Sequence, residues 1–139
     1  EGLGQAMVDR ALQTLSATAR HDGDAVNWPP VVEPGAAGPT KWLLQDCHGA
    51  PGIVCRLGTA PRTPEWDELL RAAGELVWHA GPVRKGPTLC HGTAGNAYAF
   101  LKLYRRFGDP QWLDRARAFA LHAVAQVEPG EGGQRVPSS

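Results

Sequence analysis

Apolar positions in this chain recur with the period of a helix in five stretches, and strand signals are nearly absent. Over residues 4–20, Val8, Leu12, Leu15 and Ala19 fall on one face of an amphipathic helix. Short apolar helices are expected at Ile53–Leu57 and Ala97–Tyr104. Each is followed by a turn and a longer amphipathic helix, opening at Pro64-Glu65-Trp66 and at Pro110-Gln111-Trp112. Thr63 and Asp109 stand as N-caps, and each proline takes the first helical position, where its missing N–H costs nothing. Trp66, Leu69, Leu70, Ala73, Leu76 and Val77 share a face of the first long helix. Trp112, Ala116, Phe119, Ala120, Ala123 and Val127 do so in the second. Residues 21–40 break the pattern. Asp22-Gly23, Pro29-Pro30, Pro34-Gly35 and Gly38-Pro39 mark a loop, from which Trp28 is expected to lay its indole on the domain.

The second half repeats the first. Cys47-His48-Gly49-Ala50-Pro51-Gly52 returns 43 residues later as Cys90-His91-Gly92-Thr93-Ala94-Gly95. Each copy opens an apolar helix and leads into a Pro-x-Trp helix. The repeats span 41–83 and 84–139, the second including the tail. A period in the forties made of two helices is the mark of a helical array or a closed ring of hairpins. The small apolar helix of each pair would sit inside and the amphipathic one outside. The fold class is therefore all-α, with stacked inner/outer helix pairs.

Composition narrows the function. Lys+Arg and Asp+Glu both number 14, and no basic stripe is present, which argues against a phosphate-driven nucleic-acid binder. No apolar run approaches the roughly 18 residues of a membrane span. Three cysteines, two of them beside histidines, fit a reducing compartment and metal or catalytic use, and cytoplasm is the expected location. The chain opens at Glu1 and ends in a Gly/Pro/Ser tail, so a portion of a larger protein, cut at both ends, is expected.

The chemistry sits in the repeated turns. Their glycines allow a tight entry into a helix, and a cysteine just before a helix start feels its positive end. Stacked repeats would bring Cys47 and Cys90 together, with His91 next to Cys90. Two thiolates and an imidazole suit a catalytic zinc that keeps its fourth position open. The cysteines could instead be plain helix-start residues or a disulfide; their equivalent repeat positions favour zinc. His48 is a candidate for proton handling or positioning, against plain packing. Arg84-Lys85, in a loop before Cys90, is either solvated or binds an anion. Cys55, Tyr98, Phe100 and Tyr104 read as core, His79 and His122 as outer-helix residues, and His21 as a loop residue.

These residues resemble a known family. The turn at Cys47–Ile53, and Leu89–Leu101 with its Leu-Cys-His-Gly-Thr-Ala-Gly-Asn run, are similar to the two zinc motifs of the lanthionine synthetase C-like family. The likeness runs from about Lys41 to about Arg135 and is closest to the eukaryotic-type, stand-alone members. It implies the C-terminal portion of an α/α toroid, with zinc on Cys47, Cys90 and His91. It implies thioether formation: zinc activates a thiol, from a peptide cysteine or glutathione, for attack on dehydroalanine or dehydrobutyrine. A non-catalytic zinc- and glutathione-binding module is the alternative. Lys85 matches an anion-contacting lysine, and Arg135 a further contact. The family's cyclase acid, a histidine in an earlier repeat, falls outside this chain. One departure is Asp46, where the family usually carries an aromatic residue before the first cysteine.

Overall fold

The computed structural model describes residues 2–32, 41–130 and 133–135. In chain order these form α1 (Leu3–Thr18), β1 (Arg20–Asp22), β2 (Ala25–Asn27), α2 (Ala50–Leu57), α3 (Pro64–Ala80), α4 (Thr93–Phe107), α5 (Pro110–Ala125), β3 (Glu128–Gly130) and β4 (Gly133–Arg135). The described residues are helix-rich, as an all-α chain should be. Both predicted caps are made: Thr63 Oγ1 accepts from the Trp66 N–H at 3.2 Å, and Asp109 Oδ1 from the Gln111 N–H at 3.0 Å. Caps of this kind are worth about 1 kcal/mol each.

Helix pairs α2–α3 and α4–α5 stack on one another, with α2 packing against both α3 and α4. Between them lies one core. Leu70, Phe100, Leu103 and Trp112 are its largest fully buried side chains, and Phe119 joins them. The rings interlock, with Phe100 edge-on to Phe119 at 5.0 Å and stacked on Trp112 at 6.1 Å. Such pairs add about 0.5–1.5 kcal/mol beyond burial.

One buried cation ties the repeats together. Arg106 of α4 is only 2% exposed at its side chain, and its Nε donates to Asp67 Oδ1 of α3 at 2.6 Å. Its remaining N–H groups reach the carbonyls of Gly58 (3.3 Å), Ala60 (2.9 Å) and Pro61 (3.2 Å) in the turn between α2 and α3. The guanidinium is thus the partner of a turn that has no regular backbone ladder of its own. Burial works to raise the Asp67 carboxyl, but Arg106 and Arg62 outweigh it and hold the pKa below its usual value.

The structure corrects several expectations. Residues 21–40 are not loop throughout: β1 and β2 pair antiparallel in the register Arg20↔Asn27, His21↔Val26, Asp22↔Ala25. The turn between them is Gly23-Asp24, with Gly23 at φ +56°. Residues 33–40 lie outside the described residues. Helices α2 and α4 begin earlier than the apolar runs that announce them, because their first turns contain the motif's own Ala50-Pro51-Gly52 and Thr93-Ala94-Gly95. Helix α1 buries no residue fully, and Val8 is exposed. Its half-buried Leu12 and Leu15, with Ala19 just past its end, rest on the core instead. Ala120 and Tyr98 are exposed, and Val127 lies beyond the end of α5. Trp28 behaves as expected: it is buried, and its Nε1 donates to the Leu15 carbonyl of α1 at 2.7 Å.

Candidate metal centre

Both motif turns are built by the same device. The first glycine of each caps the helix: Gly49 stands before α2 and Gly92 before α4. Gly49 has φ +94°, and a Cβ there would sit 2.0 Å from the Leu43 carbonyl oxygen. The second glycine lies against the carbonyl of the residue that precedes the cysteine. A Cβ on Gly52 would fall 2.1 Å from Asp46 O, and one on Gly95 2.0 Å from Leu89 O. No side chain fits in that space, so the cysteine strand and the helix start can close together only over glycine.

The turns then meet. The Cys47 N–H donates to the Cys90 carbonyl at 3.3 Å. Gln45 and His48 exchange backbone hydrogen bonds of 3.1 and 3.0 Å around Cys47, which fixes that residue at the tip of a tight loop. Two buried amides hold the approach. Asn27 Nδ2 donates to Leu43 O at 3.3 Å, and Asn96 Nδ2 to Leu44 O at 3.2 Å. Asn27 Oδ1 also accepts from the Ala50 N–H at 2.7 Å, so a side chain 23 residues away satisfies the first turn of α2.

The consequence is a cluster of donors. The ligand atoms of Cys47, Cys90 and His91 all lie within 4.8 Å of one another, and all three residues are exposed. Cys90 Sγ is 3.8 Å from His91 Nε2. Tetrahedral zinc with the usual bond lengths holds sulfur and nitrogen donors about 3.5–3.8 Å apart. The set therefore fits zinc in donor type and number, with the Cys90–His91 pair at tetrahedral spacing and the three donors within 4.8 Å, and it leaves a solvent-facing side for a further ligand. All three cysteines are free thiols. The Cys90 pKa is raised, first by its hydrogen bond with Cys47, then by burial and by the charge of Cys47.

The other candidates fall around this cluster to different degrees. His48 Nδ1 lies 3.2 Å from Cys47 Sγ, beside the donors but not among them. Lys85 Nζ donates to Gln45 Oε1 at 2.9 Å, and Gln45 Nε2 in turn donates to Cys47 Sγ at 3.1 Å. Arg135 ends β4, and its side chain falls outside the described residues. Asp46 pairs with Arg56 through two contacts of 2.7 and 2.8 Å. That guanidinium holds the Asp46 carboxyl below its usual pKa, against the effect of burial. Cys55 is buried behind the site, and burial, with the Asp46 carboxylate second, pushes its thiol up to about 12. His21, His79 and His122 are exposed on β1, α3 and α5. Gln45 and Asn27 were not foreseen, because a single amide in a loop carries no periodic signal. Asn96 did carry one: it is a polar residue in the most apolar stretch of α4.

The sequence model of the family described as lanthionine synthetase C-like protein matches residues 5–136. The chain belongs to that family. This LanC-like chain is 44% identical over 81 residues to a Danio rerio protein named glutathione S-transferase LANCL1, covering 56% of the chain and 20% of that protein. It is 45% identical over 88 residues to the Arabidopsis thaliana LanC-like protein GCL1, covering 60% of the chain and 20% of that protein. The LanC-like chain thus spans about a fifth of the length of each of these relatives. Among the described residues, no helix is long and apolar enough to cross a membrane.

Proposed function

We propose that this chain supplies the zinc centre of a thioether-forming enzyme, as the C-terminal portion of an α/α toroid completed by sequence beyond it. The reaction is a Michael-type addition of a thiolate to a dehydroalanine or dehydrobutyrine residue. The observation that carries this reading is the convergence of two repeat-related cysteines and one histidine on a single exposed point. Cys47, Cys90 and His91 would hold the metal. A zinc held there would favour the thiolate form of an incoming thiol at neutral pH.

The chain's own groups supply part of the rest. The solvent-facing side of the donor set admits the thiol. Its sulfur lone pair forms the new C–S bond at the β-carbon, and the C=C electrons move onto the carbonyl as an enolate. A proton must then reach the α-carbon, and His48, held 3.2 Å from Cys47 Sγ, is this chain's nearest imidazole outside the donor set. Lys85 has three N–H donors, of which Gln45 takes one, so it can also receive a carboxylate of the thiol substrate. Arg135 is proposed as a second anion contact. Glutathione or a peptide cysteine is the thiol, and the name of the Danio rerio relative, a glutathione S-transferase, favours glutathione. A reducing, cytoplasmic setting would keep the three thiols free.

This chain holds the zinc ligands but not a complete active site, so the test uses the toroid completed by its flanking sequence: loaded with zinc and incubated with glutathione and a dehydroalanine peptide, it should yield a thioether adduct by mass spectrometry, abolished in Cys90→Ala. Saturable glutathione binding with no adduct would replace the enzyme with a non-catalytic zinc- and glutathione-binding module.

A further inference from the structure

We infer that Gln45 is a positioning residue for Cys47, set in its orientation by Lys85; the inference rests on the zinc reading above. The geometry has an internal logic. A lysine ammonium offers donors and no acceptor, so the end of the Gln45 amide that faces Lys85 Nζ at 2.9 Å must be its oxygen. The NH2 end therefore faces Cys47 Sγ, at 3.1 Å. Lys85 thus fixes which way the amide points, and the amide presents an N–H to the sulfur. That donor suits a cysteine acting as a deprotonated metal ligand.

Gln45 is placed firmly enough to do this. It is 6% exposed, and its backbone N–H and carbonyl are both engaged with His48 across the turn. The arrangement is also one-sided. Cys47 and Cys90 occupy equivalent repeat positions, but the residue matching Gln45 in the second copy is Thr88, which is exposed. Among the described residues, no side-chain amide donates to Cys90. The two sulfurs of one site are therefore held differently: each has the histidine that follows it beside it, but among the described residues Cys47 alone also receives a buried amide.

Two substitutions separate this from mere packing. Gln45→Glu keeps size and keeps an acceptor for Lys85, but turns an acceptor toward the sulfur. Gln45→Met keeps length and removes both polar ends. Folding is checked by far-ultraviolet circular dichroism and melting. Zinc affinity is measured by competition with a chromophoric chelator, and cobalt-loaded protein gives the thiolate-to-metal absorption bands. Both variants should lose zinc affinity by about 10–100-fold, the usual cost of removing an outer partner of a ligand, with Gln45→Glu losing more and shifting the cobalt bands. Lys85→Met should weaken zinc in the wild-type background and have no effect when Gln45 is already Met. Should either folded Gln45 variant bind zinc like the wild type, with unchanged cobalt bands, the positioning role is overturned while the zinc site stands. A wild-type chain that takes up neither metal overturns both.

Discussion

Replacing Arg106 by methionine should unfold this chain far more readily than any change at the exposed ion pairs. The side chain is 2% exposed and serves Asp67 and three turn carbonyls at once. Methionine fills most of the volume, so the cavity contribution is small. The carbonyls of Gly58, Ala60 and Pro61 lose their donor, and water reaches them only in part, which costs about 1 kcal/mol each. Asp67 keeps Arg62 at 3.1 Å and is itself 26% exposed, so water and that arginine still serve it, and losing the buried partner adds only about 1 kcal/mol. The sum is about 4 kcal/mol, within the roughly 3–5 kcal/mol expected for breaking a buried pair. At roughly 3–4 °C per kcal/mol for a chain of this size, the melting midpoint should fall by about 12–16 °C. Arg56→Met is the control: its pair with Asp46 is 62% exposed on the arginine side and should cost less than about 1 kcal/mol. Thermal and urea melts of the three proteins at neutral pH measure the difference. Acid supplies a second signature. Asp67 is held below its usual pKa, so its contribution is complete above the unfolded carboxylate value near pH 4 and is lost as pH falls through the lower folded value. The wild type should therefore lose stability below about pH 4 more steeply than Arg106→Met. A variant that melts within about 2 °C of the wild type would refute the role given to this guanidinium.

Gly95→Ala should weaken zinc binding without touching a ligand, because its Cβ would fall 2.0 Å from the Leu89 carbonyl and push α4 away from the Cys90 strand. Equilibrium dialysis should show affinity down by at least about tenfold, in the range of outer-partner losses; wild-type affinity would show that the close approach is not needed. Cys55, buried with its thiol pushed up to about 12, should resist alkylation at pH 8, while exposed Cys47 and Cys90 react. Mass spectrometry of the folded, metal-free chain should count two labels, and rapid uptake of a third would show that Cys55 is accessible.

The elements and the donors were readable in the sequence for one reason: both are repeated. Pro64 and Pro110 each follow a capping residue, and the two Cys-His-Gly turns sit at matching positions, so each copy corroborates the other. Much of what stood in one copy alone was lost, although α1 and the buried Trp28 were legible without a repeat. The β1–β2 hairpin has strands of three residues, too short for alternation to show, although Gly23-Asp24 is a two-residue turn signal. Tyr98 has the spacing of a core residue yet is exposed, because period alone does not tell which apolar face finds a partner. Gln45, Asn27 and Arg106 are buried polar groups with partners 40, 23 and 39 residues away, respectively. Tertiary structure makes those contacts, and no local pattern announces them.

The most direct measurement is the zinc content of the purified chain beside Cys47→Ala, Cys90→Ala and His91→Ala, by mass spectrometry of the metal under reducing conditions. A site built by the two turns predicts about one zinc per wild-type chain, with three protein ligands and one open position, and loss or sharp weakening in all three variants. A folded wild-type chain that stays free of zinc when zinc is supplied, or three variants that bind it as well as the wild type, would contradict it.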